Sequence, residues 1–147
     1  MFEYPEDRQF FADLLTDGDV NLLDYAYSDL FDSRHPAIKR WEFDKVRKKL
    51  LRDLIEKHNG QCQLGIHPLC SPDHGLEPDH IIPLSSNVLK KDLRHQIRTT
   101  SAKVESQSFG SNHPKNLTLA CRKCNGLKKH RILTADILKT LLDKSFT

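Results

Sequence analysis

Asp79 and His80 stand side by side in the run EPDHIIPLSS, residues 77–86, with Pro78 before them and Pro83 after. A carboxylate binds hard cations, and an imidazole with an ordinary pKa near 6.5 accepts a proton at neutral pH. The two types together suit metal-assisted hydrolysis. In a regular strand, neighbouring side chains point to opposite faces, so this pair is expected to serve one site only where the backbone bends. The two prolines favour such a bend. Ile81 and Ile82 read as a buried strand beginning at the pair. The competing reading is a turn followed by an edge strand, with no chemistry attached.

Four cysteines flank this stretch. Cys62 and Cys70 enclose seven residues, and Cys121 and Cys124 enclose two. The tighter pair has the spacing with which two thiolates grip one Zn²⁺ tetrahedrally. Widening a loop from 3 to 8 links costs only about 0.9 kcal/mol, against roughly 10–16 kcal/mol contributed by a structural zinc. The expectation is one structural zinc held by Cys62, Cys70, Cys121 and Cys124. His67 is an alternative ligand to Cys70, and a redox pair at Cys121 and Cys124 is the alternative to a metal.

Taken in order, the chain carries Cys62, Cys70, Asp79-His80, Asn116, Cys121, Cys124-Asn125 and Lys128. Its segments PDHIIPL and NHPKNLTLACRKCNGLKKH resemble the HNH endonucleases of the ββα-metal superfamily over roughly residues 58–131, with residues 87–114 as a lengthened connection. The resemblance implies an α+β fold: a ββα-metal module with a structural zinc, embedded in additional helices. It implies that His80 is the general base and that Asn116 fixes the hairpin loop and helps orient that base. Asp79 matches a metal ligand beside the base. Asn125 occupies the third motif position, where many members carry His and an HNN subgroup carries Asn. A neutral amide there favours Mg²⁺ or Mn²⁺ over zinc as the catalytic ion. The implied activity is hydrolysis of DNA phosphodiesters to 5′-phosphate and 3′-hydroxyl ends. Lys128, Lys129 and His130 at the last helix of the site, with Arg94 and Arg98 in the connection, are candidate phosphate contacts. The alternative is a zinc-stabilised nucleic-acid-binding module without catalysis.

The charge distribution agrees with a polyanionic partner. Residues 1–43 hold 10 acidic and 4 basic side chains, a net of −6, and residues 44–147 hold 10 acidic and 19 basic, a net of +9; together these give the overall +3. A basic module behind an acidic segment points to nucleic acid as the partner of the former. The division expected is an acidic helical segment at 1–43, packing on or extending a nuclease domain at 44–147. That segment is a candidate dimer or protein-partner contact. At 147 residues and a mean hydropathy of −0.58, the chain fits one soluble domain. It has no apolar run near the ~20 residues of a membrane span, and its acidic start is unlike a secretory signal. A cytoplasmic setting without membrane association follows, and there thiols favour metals over disulfides.

Several helices must position these residues. YPEDRQFFADLLTDG has proline in the first turn, acids after it and Gly18 past the end; VNLLDYAYSDLF reads as a second helix. From Pro36 to His58, Phe43, Val46, Leu50, Leu51, Leu54 and Ile55 recur at helical spacing, with Lys45, Lys48, Lys49 and Arg52 on the other face. A basic helix is expected at 88–104 and a short strand at LTLA. CNGLKKHR begins another helix, and TADILKTLLDK closes the chain behind Thr134 as N-cap.

Overall fold

A computed structural model describes residues 2–95 and 104–147 of the protein. Helix α1 runs Pro5–Thr16 with Pro5 at its first turn, Glu6 and Asp7 following, and Asp17 in the left-handed region at its end. Helix α2, Val20–Tyr27, starts where the Asp19 carboxylate accepts the Leu22 N–H at 3.0 Å. The 22-residue α3, Pro36–Lys57, has proline at the start and the His35 ring accepting the Ala37 N–H. These three helices lie where periodicity and capping chemistry place them.

The centre is a two-stranded antiparallel sheet of β1, Leu76–His80, and β4, Leu117–Cys121. Between them come β2, Ser85–Ser86, the short α4, Val88–Asp92, and β3, Gln107–Ser108, with β2 and β3 paired to each other. Helix α5, Arg122–Lys128, leaves the end of β4 directly, and α6, Ala135–Ser145, follows. The architecture is α+β. No helix among the described residues is long and apolar enough to cross a membrane.

Register explains how the sheet is covered. Pro78 lies opposite Leu119 and His80 opposite Leu117. Strand alternation puts these residues on one face, where Leu117 and Leu119 pack against Phe43, Leu50, Leu51 and Leu54 of α3. Asp79, opposite Thr118, belongs to the other face, which carries α5. Five consecutive residues of β4 are buried, as expected for a strand covered on both sides.

The larger core joins the two ends of the chain. Phe11, Ala12, Leu15, Leu23 and Leu30 share one cluster with Ile81, Ile82, Leu89, Ala120, Leu138 and Leu141. Helices α1 and α2 therefore pack on the rest through their apolar faces, and α3 runs unbroken across the division drawn at 43/44.

One local expectation is corrected and two are met in part. The strand ends at His80, so Ile81 and Ile82 are buried in the turn beyond it. The helix expected over 88–104 is observed as α4, and its remainder includes positions outside the described residues. Thr134 occupies the N-cap position of α6, but its side chain makes no capping bond.

Two devices pin the turn after β1. The fully buried Asn116 accepts the Ile82 N–H at 2.8 Å and donates to Ile82 O at 3.0 Å and Ser111 O at 2.8 Å. Gly110 crosses so close that a Cβ there would lie 2.0 Å from Ile82 O. Beside them the buried ammonium of Lys39 donates to three carbonyls: Asp32 at 2.7 Å, Leu84 at 2.9 Å and Gly110 at 2.6 Å. Burial lowers its pKa to about 8, which leaves it protonated at neutral pH and matches three donors to three acceptors.

Candidate functional site

The cysteines come from a loop and from the β4–α5 junction. Cys121 is the N-cap of α5, and its sulfur accepts the Cys124 N–H at 3.4 Å, while Cys124 Sγ accepts the His67 N–H at 3.4 Å. All four sulfurs lie within 4.8 Å of one another, with Cys70 and Cys121 at 4.0 Å. Tetrahedral zinc with Zn–S bonds near 2.3 Å needs sulfurs about 3.8 Å apart. The cluster is therefore able to hold a metal ion such as zinc. His67 is not among the four: its Nδ1 accepts the Leu69 N–H at 2.9 Å, closing a local turn. Burial and the neighbouring thiols push Cys70 up to about 12. At Cys121 burial acts upward too, but backbone N–H donors prevail and bring it to about 7. A bound dication removes the mutual repulsion that keeps such thiols from ionising together.

A second constellation surrounds the free edge of β1. A cleft of about 350 Å³ gathers Asp79 and His80 from β1, Asn125 and Lys128 from α5, and Arg40 and Arg47 from α3. Lys129 and His130 also line it. The bend expected between Asp79 and His80 is absent, because β1 pairs with β4 through both residues. The side chains start from opposite faces, yet both line this cleft at the edge of β1 that pairs with no strand among the described residues.

His80 is set against α3. Its ring meets Phe43 edge to face at 4.6 Å between centroids, and its Nε2 lies 2.8 Å from Asn112 Oδ1. The Asn112 amide nitrogen donates to Lys39 O at 2.8 Å, which fixes the oxygen toward His80. Nε2 therefore carries the hydrogen, and the Nδ1 lone pair is the basic position. Burial lowers His80 to about 4, only partly offset by the Asn112 bond, so the ring is neutral at physiological pH.

Asp79 is buried on the opposite face. Its Oδ1 is 3.3 Å from Lys128 Nζ, whereas Oδ2 has no hydrogen-bond partner among the described residues. Burial raises its pKa against the pull of Lys128. A buried carboxylate with one unsatisfied oxygen, in a cleft shared with the Asn125 amide, offers a hard cation the ligand atoms it prefers. The residues present fit such an ion.

Two candidate phosphate contacts have other employment. The Lys128 ammonium is 1% exposed and also donates to His80 O at 2.8 Å, so it serves as an internal counter-charge for Asp79. Arg94 turns away toward α1. It bonds Asp7 at 2.9 Å, Glu6 at 3.1 Å and Gln107, and covers the Tyr4 ring. Asp7 is fully buried and needs that cation. Lys129 and His130 remain exposed at the cleft, with His130 Nδ1 3.4 Å from Ser86 Oγ. Arg98 lies outside the described residues.

Asn112, Lys39, Arg40 and Arg47 escaped sequence reasoning. The helical spacing of Arg40, Phe43 and Arg47 on α3 was the available signal for the cleft wall. Asn112 carried none beyond its place in a loop. Comparison of the chain with protein-family models, curated proteins and solved structures finds no match to any of them.

Proposed function

We propose that this protein is a metal-dependent DNA endonuclease of the HNH type, with a structural zinc at the four cysteines and Mg²⁺ or Mn²⁺ at the cleft. One observation carries the reading: Asp79, His80 and Asn125, separated in sequence, line one cleft whose rim is cationic. The β1–β4 pair followed directly by α5 supports an HNH module at its centre.

The roles follow from the geometry. The Asn112 hydrogen bond leaves His80 Nδ1 as the atom that takes a proton from water. Low basicity is the weakness of a buried imidazole, and an entering phosphodiester anion moves it upward by favouring the charged ring. Asp79 and Asn125 would hold the hard cation, which supplies charge compensation at the phosphate and at the departing 3′ oxygen. Lys128 balances the Asp79 charge from inside, and Asn116 locks the turn that follows the base. Arg40 and Lys129 offer positive charge along the path of the backbone, joined by Arg47, which lies 3.7 Å from Glu77. One such cleft cuts one strand, so a double-strand break requires a second copy or sequential nicks.

Supercoiled plasmid incubated with Mg²⁺ or Mn²⁺ tests this. The wild type is expected to nick it and His80→Ala is not. A wild type that retards DNA in a gel but never nicks it replaces the proposal with the zinc-stabilised binding module.

A further inference from the structure

Helix α5 has a second cleft on its other side. It measures about 670 Å³ and is lined by His67, His74, Arg122, Lys123, Lys129 and Arg131. No carboxylate lines it, and none of its four lysine and arginine side chains is ion-paired among the described residues. Other surface cations, among them Arg8, Arg34, Lys49 and Lys115, are bridged to an acid, whereas here four unbridged cations share one cleft. Four like charges left together without counter-ions repel, and an anionic ligand relieves that repulsion.

The cleft is also shaped in advance. The Arg122 guanidinium lies across Gly75, 3.6–3.9 Å from where a Cβ would stand. His67 Nδ1 accepts the Leu69 N–H, so the hydrogen of a neutral ring is on Nε2. Gly126, with nothing within 4 Å of its Cβ position, leaves the wall open. His67 belongs to the Cys62–Cys70 loop, and Arg122 and Lys123 lie between Cys121 and Cys124, so the cysteine cluster braces both walls.

We propose that this cleft is a second binding site for DNA phosphates, holding the backbone that flanks the bond in the first cleft. It rests on the endonuclease reading, since Lys129 lines both clefts and a continuous polyanion is what spans them. One helix width, about 10 Å, equals roughly three steps of duplex rise at 3.4 Å each. The phosphates held there are thus close neighbours of the one attacked.

Fluorescence anisotropy on a labelled duplex, without added Mg²⁺, compares wild type with Arg122→Ala/Lys123→Ala/Arg131→Ala. Losing three phosphate contacts lowers the slope of log affinity against log salt by about 3. The ratio of wild-type to variant affinity should then shrink about 40-fold between 50 and 200 mM salt. Plasmid nicking at saturating DNA should be unchanged. Gly126→Glu removes no side chain and suits a helix better than glycine, yet places a carboxylate in the cleft; it should weaken binding as well. If both variants bind like a wild type that nicks, this site falls and the nuclease reading stands. If the wild type binds without nicking and both variants bind more weakly, the site stands and the nuclease reading falls.

Discussion

Lys39→Met tests whether three hydrogen bonds outweigh the desolvation of a buried charge. Methionine keeps the length of the lysine stem and removes only the ammonium. Of the three carbonyls, Asp32 O keeps a bond from Ser108 Oγ at 3.0 Å and Leu84 O keeps one from the Phe109 N–H at 3.0 Å. Gly110 O is left with none among the bonds observed. Bonds from a charged donor contribute about 1.5–3 kcal/mol each, so three give roughly 5–9 kcal/mol. Opposing them, a fall in pKa from 10.5 to about 8 corresponds to a penalty of about 3 kcal/mol on the charged form. The variant is therefore expected to lose on the order of 2–6 kcal/mol, which for a chain of this size lowers the melting temperature by about 10 °C. Urea and thermal unfolding with metal present measure it. A variant as stable as the wild type, or more so, would show that burial of the charge dominates and that the ammonium does not hold these segments together.

Further outcomes follow from the site and its supports. Purified protein is expected to carry one zinc per chain, with its four thiols reacting with Ellman's reagent only after chelation; metal-free protein with protected thiols would overturn the cluster assignment. His80 has a folded pKa of about 4 against an ordinary 6.5, so between these values the unfolded chain binds a proton that the folded one refuses. Stability is then present above pH 6.5 and lost as pH falls toward 4, by up to about 3 kcal/mol. Urea titrations should show a shallower decline for His80→Gln, and equal slopes would refute it. Arg94→Ala strands the buried Asp7 and should destabilise by about 3–5 kcal/mol while leaving the salt slope of DNA binding unchanged. A lowered slope would restore Arg94 to the phosphate contacts.

What could be read in the chain beforehand was local. Pro5 announced one helix start and the apolar spacing from Pro36 to His58 announced another helix, because proline chemistry and side-chain periodicity act within one or two turns. The cysteine cluster was legible because only a few side-chain types bind zinc and their spacing limits the loops between them. Partners distant in sequence were not legible. Arg94 and Asp7 are 87 residues apart, so composition alone suggested a free basic residue and an ordinary first-turn acid. Lys39 looked like any helix lysine, because three carbonyls from separate loops converge on it only in the folded chain. The Asp-His pair was judged on strand alternation, which holds; that both residues nonetheless line one cleft, at an edge of β1 unpaired among the described residues, is a tertiary property.

The crossing at Ile82 offers a fingerprint for finding kin of this chain. Position 110 admits nothing larger than hydrogen, and position 116 needs an amide that both gives and receives. Neither demand depends on chemistry at the cleft. A relative that differs throughout the cleft but keeps this topology would still show glycine, five intervening residues and asparagine downstream of two adjoining aliphatics.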